Sequence, residues 1–190
     1  MVAIVPFERI VTTRLVMRHW TAADREPFAT MNADPQVMRY FPAPIERHES
    51  DAFVDRLEGQ FAEHGYGLWA LERRNDGAFL GFTGLSPIRD GVPYAGAVEV
   101  GWRLTRPAWG HGYATEAARR AVRIGFADVE LDQLVSMTAV VNLPSRRVME
   151  RLGMTRDPAD DFEHPSVPEG TSMRPHVLYR LCRNDWSAGA

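Results

Sequence analysis

Residues 98–126, VEVGWRLTRPAWGHGYATEAARRAVRIGF, decide the reading of the whole chain. Apolar residues alternate from Val98 to Leu104, the period of a strand; a Pro-Gly-rich turn follows, and small apolar residues then recur at helical spacing. Ala114, Ala117, Ala118, Ala121, Val122 and Gly125 share one helical face, while Glu116, Arg119, Arg120 and Arg123 take the other. A face that small lets the helix axis lie close to a sheet. At its start Gly110 and Gly112 permit a tight turn and leave the backbone amides unshielded. First-turn N–H groups have no intrahelical partner, and with the macrodipole they favour a phosphate or pyrophosphate. Strand, glycine loop and helix together outline an anion site.

Two common phosphate motifs do not fit it. No Gly-Lys-Ser/Thr follows the glycines, and Thr115 stands where a dinucleotide fingerprint wants Gly or Ala. Instead Trp109-Gly110-His111-Gly112-Tyr113-Ala114-Thr115-Glu116-Ala117, after the strand Glu99-Val100-Gly101-Trp102, closely resembles the acetyl-CoA signature of the GNAT N-acetyltransferases, in their ribosomal-protein (RimJ/RimL-like) branch. The superfamily pattern Gln/Arg-x-x-Gly-x-Gly/Ala is met at Gly112-Tyr113-Ala114, with Trp109 in place of Gln or Arg, a departure typical of that branch. The resemblance covers about residues 8–183 and implies an α+β fold. That fold has a single mixed, mostly antiparallel sheet flanked by helices and splayed at its central strands, where the pantetheine arm enters.

A chain of 190 residues, 45% apolar and 25% charged, suits one soluble globular domain with a substantial core. Its net charge of −3 gives no general attraction to nucleic acid or anionic membrane, so neither is an expected partner. Cys182 is the only cysteine, which excludes an internal disulfide and points to a reducing cytoplasm. The N-terminal MVAIVPFERI has no basic start and too short an apolar stretch for a signal peptide. Nor does any run approach the ~18 apolar residues of a membrane helix. The six histidines show no i, i+4 pair and no Cys/His spacing, so no metal is expected.

In chain order, residues 9–18 read as a first strand. Thr21 with Asp24 three residues on caps a helix that runs to Asp34-Pro35, and a second helix spans 46–64, ended by Gly65. Residues 67–73 and 78–88 read as strands around the hairpin signal Asn75-Asp76-Gly77, with Gly81 and Gly84 marking a bulge or a close backbone approach. After the central strand and its helix come a strand at 134–141 and a short helix over 142–152 with Asn142 as cap and Gly153 as stop. A strand near Met154, a loop over 157–173 and a final strand at 177–183 complete the chain.

Amine acetylation from a thioester needs a neutral amine, a stabilised oxyanion and a proton for the leaving thiolate. The resemblance implies acetyl-CoA as cosubstrate, bound by the backbone of Trp102, Arg103 and Leu104 along pantetheine and by Trp109, Gly110, His111, Gly112, Tyr113, Ala114 and Thr115 at the pyrophosphate. Leu104 N–H or a neighbour is the expected oxyanion donor. Residues 142–154, NLPSRRVMERLGM, resemble the branch's second CoA segment, in which Asn142 bonds pantetheine and Ser145 lies near the sulfur as proton donor. Glu99 is the expected general base, an acid within an apolar strand; Asp160, Asp161, Glu163, His164 or water are its rivals. The five acids of 157–169 draw a cationic amine or form a solvated loop. Arg119, Arg120, Arg146 and Arg147 could meet nucleotide phosphates, and Trp20, Tyr40, Phe41, Trp69 and Trp102 could line an acceptor pocket or the core. Cys182 has no His or acid motif beside it and direct attack needs no covalent intermediate. The expected reaction is therefore acetyl transfer to a primary amine, on a protein N-terminus or a small molecule, by a monomer or homodimer. The alternative is a non-catalytic CoA-binding sensor of the same fold.

Overall fold

The structure, a computed structural model, describes residues 7–186. Strands β1 (Arg9–Val11) and β2 (Leu15–Arg18) form a hairpin where the sequence suggests one strand. Alternation continues through the bend, but Thr12 closes it. Its N–H and hydroxyl reach the Leu15 carbonyl at 2.9 and 3.3 Å, and its Oγ1 accepts from Leu15 N–H at 3.1 Å. Helix α1 (Arg25–Ala33) is entered through a 3-10 turn whose capping box joins Thr21 and Asp24, as expected. Helix α2 (Arg47–His64) begins at a second box, Glu46 with Glu49, and stops at Gly65. Strands β3 (Leu68–Arg73) and β4 (Phe79–Pro87) make the predicted hairpin, and β5 (Val98–Leu104) lies beside β4. Helix α3 (Tyr113–Arg123) runs on into a π-helical turn over 124–128. Then come β6 (Gln133–Ala139), α4 (Leu143–Arg151), the short β7 (Thr155–Arg156) and β8 (Phe162–Glu163), and β9 (Pro175–Cys182).

The nine strands form one sheet in the order β1-β2-β3-β4-β5-β6-β9-β7, with β8 also on β9. Every pair is antiparallel except β5–β6, so the sheet is mixed and mostly antiparallel, as the resemblance implies. On one face Ala117, Ala118 and Ala121 of α3 are fully buried, in one core with Val100 and Leu104, and Ala114 packs against it partly buried. On the other, α1 and α2 cover an aromatic cluster in which Phe28 and Phe53 meet Phe82 at 6.0 and 6.1 Å. Trp20 and Trp69 belong to this core rather than to a pocket, and their indole N–H groups are taken by the carbonyls of Leu68 and Phe7. The glycines that interrupt β4 are close approaches. A Cβ on Gly84 would lie 2.0 Å from the Gly67 carbonyl oxygen, and one on Gly81 2.1 Å from that of Arg103.

Parallel β5 and β6 register at a single pair, Glu99 with Val135, and then diverge, leaving a gap between their C-terminal halves. Helix α3 follows the end of β5 and α4 the end of β6, so both helix N-termini flank the open end of that gap.

Candidate active site

The hydrogen-bond ladder between β4 and β5 fixes which backbone groups face the gap. At its two ends Ile88 N–H donates to Ala97 O at 2.8 Å and Thr105 N–H to Leu80 O at 2.9 Å. Alternation between those ends turns Glu99, Gly101 and Arg103 toward β4, and Val100, Trp102 and Leu104 toward β6. Beyond the Glu99–Val135 pair β6 is out of register, so Trp102 and Leu104 aim their N–H groups into the gap. Arg103 N–H, between them, faces β4 instead. The Leu104 carbonyl accepts from Trp109 Nε1 at 2.9 Å, folding the glycine loop back on the strand.

Glu99 sits at the closed end of the gap. Its Oε1 accepts from Met137 N–H at 3.2 Å, the next β6 amide in the row that Val135 begins. Burial pushes its carboxyl up to about 7, against the opposing pull of that one hydrogen bond. Among the described residues no cation lies within salt-bridge distance of it. The rivals are differently placed. Asp160 pairs with Arg180 at 2.8 Å, which holds its carboxyl below the usual range; Asp161 pairs with Arg156, and Glu163 with Arg174 at 3.2 Å. Asp157 accepts from Ala159 N–H and Glu169 lies 3.6 Å from Arg174, so ion pairs cross-link the acidic segment while Glu163 and Glu169 stay largely in solvent. His164 lies 4.7 Å from His176 with the rings tilted by 43°, and burial lowers the pKa of both.

At the other end of β5 the loop reaches α3 through Gly110 and Gly112, both left-handed, at φ 79° and 78°. Tyr113, Ala114 and Thr115 form the first turn, so their amides lack carbonyls of the helix to bond. The loop is clamped from the β1–β2 hairpin. Arg14 donates to His111 O at 2.8 Å, while its Nε and backbone N–H reach Glu116 at 2.7 and 2.8 Å and Thr12 Oγ1 reaches the same carboxylate at 2.6 Å. Burial works to raise the Glu116 pKa, but these hydrogen bonds outweigh it and hold the carboxyl low. The one acid in the first turn is thus engaged by the hairpin.

Across the gap, Asn142 caps α4: its Oδ1 accepts from Ser145 N–H at 3.3 Å and its Nδ2 donates to Thr138 Oγ1 at 2.8 Å. Ser145, half-buried, stands in the first turn. Arg146 is tied to the Val140 carbonyl at 3.0 Å, whereas Arg119 and Arg120 line a surface cavity of about 440 Å³ between the C-terminal halves of α3 and α4. Of the aromatics, Phe41 is the one that meets a charge beside Glu99's strand face. The Arg103 guanidinium lies 4.2 Å from its ring centroid. Sequence reasoning treated Arg103 as backbone only. The signal for its side chain was the spacing Glu99-Gly101-Arg103, two opposite charges on one strand face with a glycine between them.

The chain has counterparts among known proteins. The family profile of the acetyltransferase (GNAT) domain matches residues 14–155. The uncharacterized N-acetyltransferase YnaD of Bacillus subtilis is 26% identical over 179 residues, covering 94% of this chain and 99% of that one. The FsC-acetyl coenzyme A-N(2)-transacetylase of Aspergillus fumigatus is 27% identical over 182 residues, 92% of this chain and 76% of its own length. In fold, the chain superposes on a GNAT-family acetyltransferase from Bacillus anthracis with a TM-score of 0.76 at 22% identity, over 93% of this chain and 99% of that one. The family uses acetyl-CoA as cosubstrate, and the amides of Trp102 and Leu104 and the first turn of α3 are suited to hold it. The chain belongs to the GNAT acetyltransferase family and is an enzyme of the N-acetyltransferase class.

Proposed function

We propose that the chain is one N-acetyltransferase domain of the RimJ/RimL-like branch that moves an acetyl group from acetyl-CoA to a primary amine by direct attack. The observation that carries this reading is Glu99: a carboxyl raised to about 7, without a cation among the described residues, in the strand whose Trp102 and Leu104 amides face the gap. A base poised there accepts the ammonium proton near neutral pH, and the amides offer donors to the tetrahedral oxyanion. Gly110 to Thr115 hold the pyrophosphate, and Trp102 and Leu104 the pantetheine. Ser145 donates a hydrogen bond to the departing thiolate. The branch rests on the Trp109-to-Ala117 motif. The lone cysteine favours the cytoplasm, as monomer or homodimer; among the described residues no helix is long and apolar enough to cross a membrane.

The test is calorimetric titration with acetyl-CoA, followed by label transfer from acetyl-CoA to a panel of amines and N-terminal peptides. All 22 basic residues of the chain are arginine, so lysine autoacetylation adds no background. Binding followed by acetylated product is expected. Tight binding without transfer to any amine would remove the catalytic reading.

A further inference from the structure

Among the described residues Arg103 is a charge without a counter-charge. It leaves β5 on the face that carries Glu99 and, with Phe82 opposite it on β4, lies under the α1–α2 connection. Its Nη1 donates to Asn32 Oδ1 at 2.7 Å, and its guanidinium rests 4.2 Å from the Phe41 centroid and 5.5 Å from that of Phe82. No carboxylate among the described residues lies within salt-bridge distance of it, and its Nε is buried with no hydrogen-bond partner. That one bond to Asn32 uses one of five N–H donors, and an unpaired buried guanidinium is costly.

The surroundings hold this cation in place. Asn32 and Ser50, both fully buried, form a polar chain in which Asn32 Nδ2 donates to Ser50 Oγ at 2.9 Å while its Oδ1 holds Arg103. Buried polar chains are unfavourable unless every member is used, and here the end of the chain is the guanidinium. Between Arg103 and Glu99 the strand face is bare: a Cβ on Gly101 would meet only Leu68 Cδ2, at 4.0 Å. A position without a side chain thus separates a carboxyl base from an uncompensated guanidinium on one strand face.

From this juxtaposition we infer that the acceptor is an amino carboxylate, its amine delivered beside Glu99 and its carboxylate held by Arg103. The assignment rests on the acetyl-transfer reading above and narrows its acceptor. A carboxylate matches the guanidinium fork and satisfies the idle donors, whereas polyamines and amino sugars bring further positive charge or none that Arg103 can pair. Burial, which lowers the Arg103 pKa to about 10, still leaves it cationic at neutral pH.

Two readouts test it with the full chain. In the first, arginine-labelled protein with CoA is titrated with N-acetylglycine and N-acetyl-γ-aminobutyrate, and with the carboxamide of each, while the Arg103 Nε–H resonance is followed by NMR. That resonance is identified by its loss in Arg103→Lys. Saturable shifts are expected for the carboxylates, at an affinity about tenfold or more above that of the amides, as for a charge-assisted pair. In the second, labelled acetyl-CoA is offered with glycine, γ-aminobutyrate and glycylglycine against their amides. A carboxylate preference in kcat/KM that collapses in Arg103→Gln is expected; should that variant fail to fold, Arg103→Lys, which keeps the charge but not the fork, carries the same readout with a weakened preference. Amides bound or acetylated as well as acids, or an Nε–H signal indifferent to every probe, would overturn the assignment and leave acetyl transfer standing. Failure to bind acetyl-CoA at all would overturn both.

Discussion

A carboxyl buried between two strands titrates where its surroundings allow, and at Glu99 the surroundings supply one amide and no cation. Because its pKa of about 7 stands above the ordinary 4.5, the folded chain holds this proton more tightly than the unfolded chain does. Stability therefore declines as pH rises from about 4.5 to 7 on account of this residue. Glu99→Gln removes that penalty: above pH 7 the variant should be the more stable by up to about 3 kcal/mol, with the two converging below pH 4, as denaturant midpoints at several pH values will read. Catalysis moves the other way. The kcat/KM of the wild type should rise through about pH 7, and Glu99→Gln should lose that limb together with roughly 10²-fold in rate. An unchanged profile would hand the proton to water, since the acids of the 157–169 segment are held in ion pairs or a backbone cap. Ser145 poses a separate question, because a hydroxyl that serves only the leaving thiolate adds nothing to binding. Ser145→Ala should lower kcat by about tenfold with CoA affinity intact, and an unaltered kcat would strike it from the mechanism.

At the scale of elements, close approach rather than propensity limits the sheet. Gly84 sits in mid-strand with φ 153°, and its missing Cβ makes room for the Gly67 carbonyl. Gly84→Ala should cost about 3 kcal/mol or more in chemical denaturation, because the clashing atom is backbone and cannot swing away. A loss under 1 kcal/mol, on the order of an ordinary surface change, would mean that β3 and β4 separate easily. These glycines, the helix caps, the hairpin at Asp76 and the alanine face of α3 were legible in the sequence because each is a local signal. The bend at Thr12 was not, since its β-branched neighbours continue the alternation and only a hydrogen bond to Leu15 reveals the turn. Nor was the order of the acidic segment legible, which depends on Arg156, Arg174 and Arg180 arriving from β7, the approach to β9 and β9 itself. Of the candidate site, Glu99 could be read from its strand. The idle charge of Arg103 could not, because its isolation depends on what α1 and α2 bring to that face.

For the whole molecule the decisive fact is that β1–β5 and β6–β9 meet through one registered pair, Glu99 with Val135, and through the helices that pack across them. A ligand that fills the gap bonds both halves at once, replacing the pairing that the divergence removes. By mass action, CoA at about a hundred times its dissociation constant adds about 2.7 kcal/mol to the folded state. For a chain of this size that raises Tm by roughly 5–11 °C. The gain should be localised: amide exchange should slow at Trp102, Leu104 and the first turn of α3 on one side and near Asn142 on the other. Protection confined to α3 would mean that the diphosphate is gripped while pantetheine stays outside the gap. In that case Glu99, at its closed end, would have no thioester to serve.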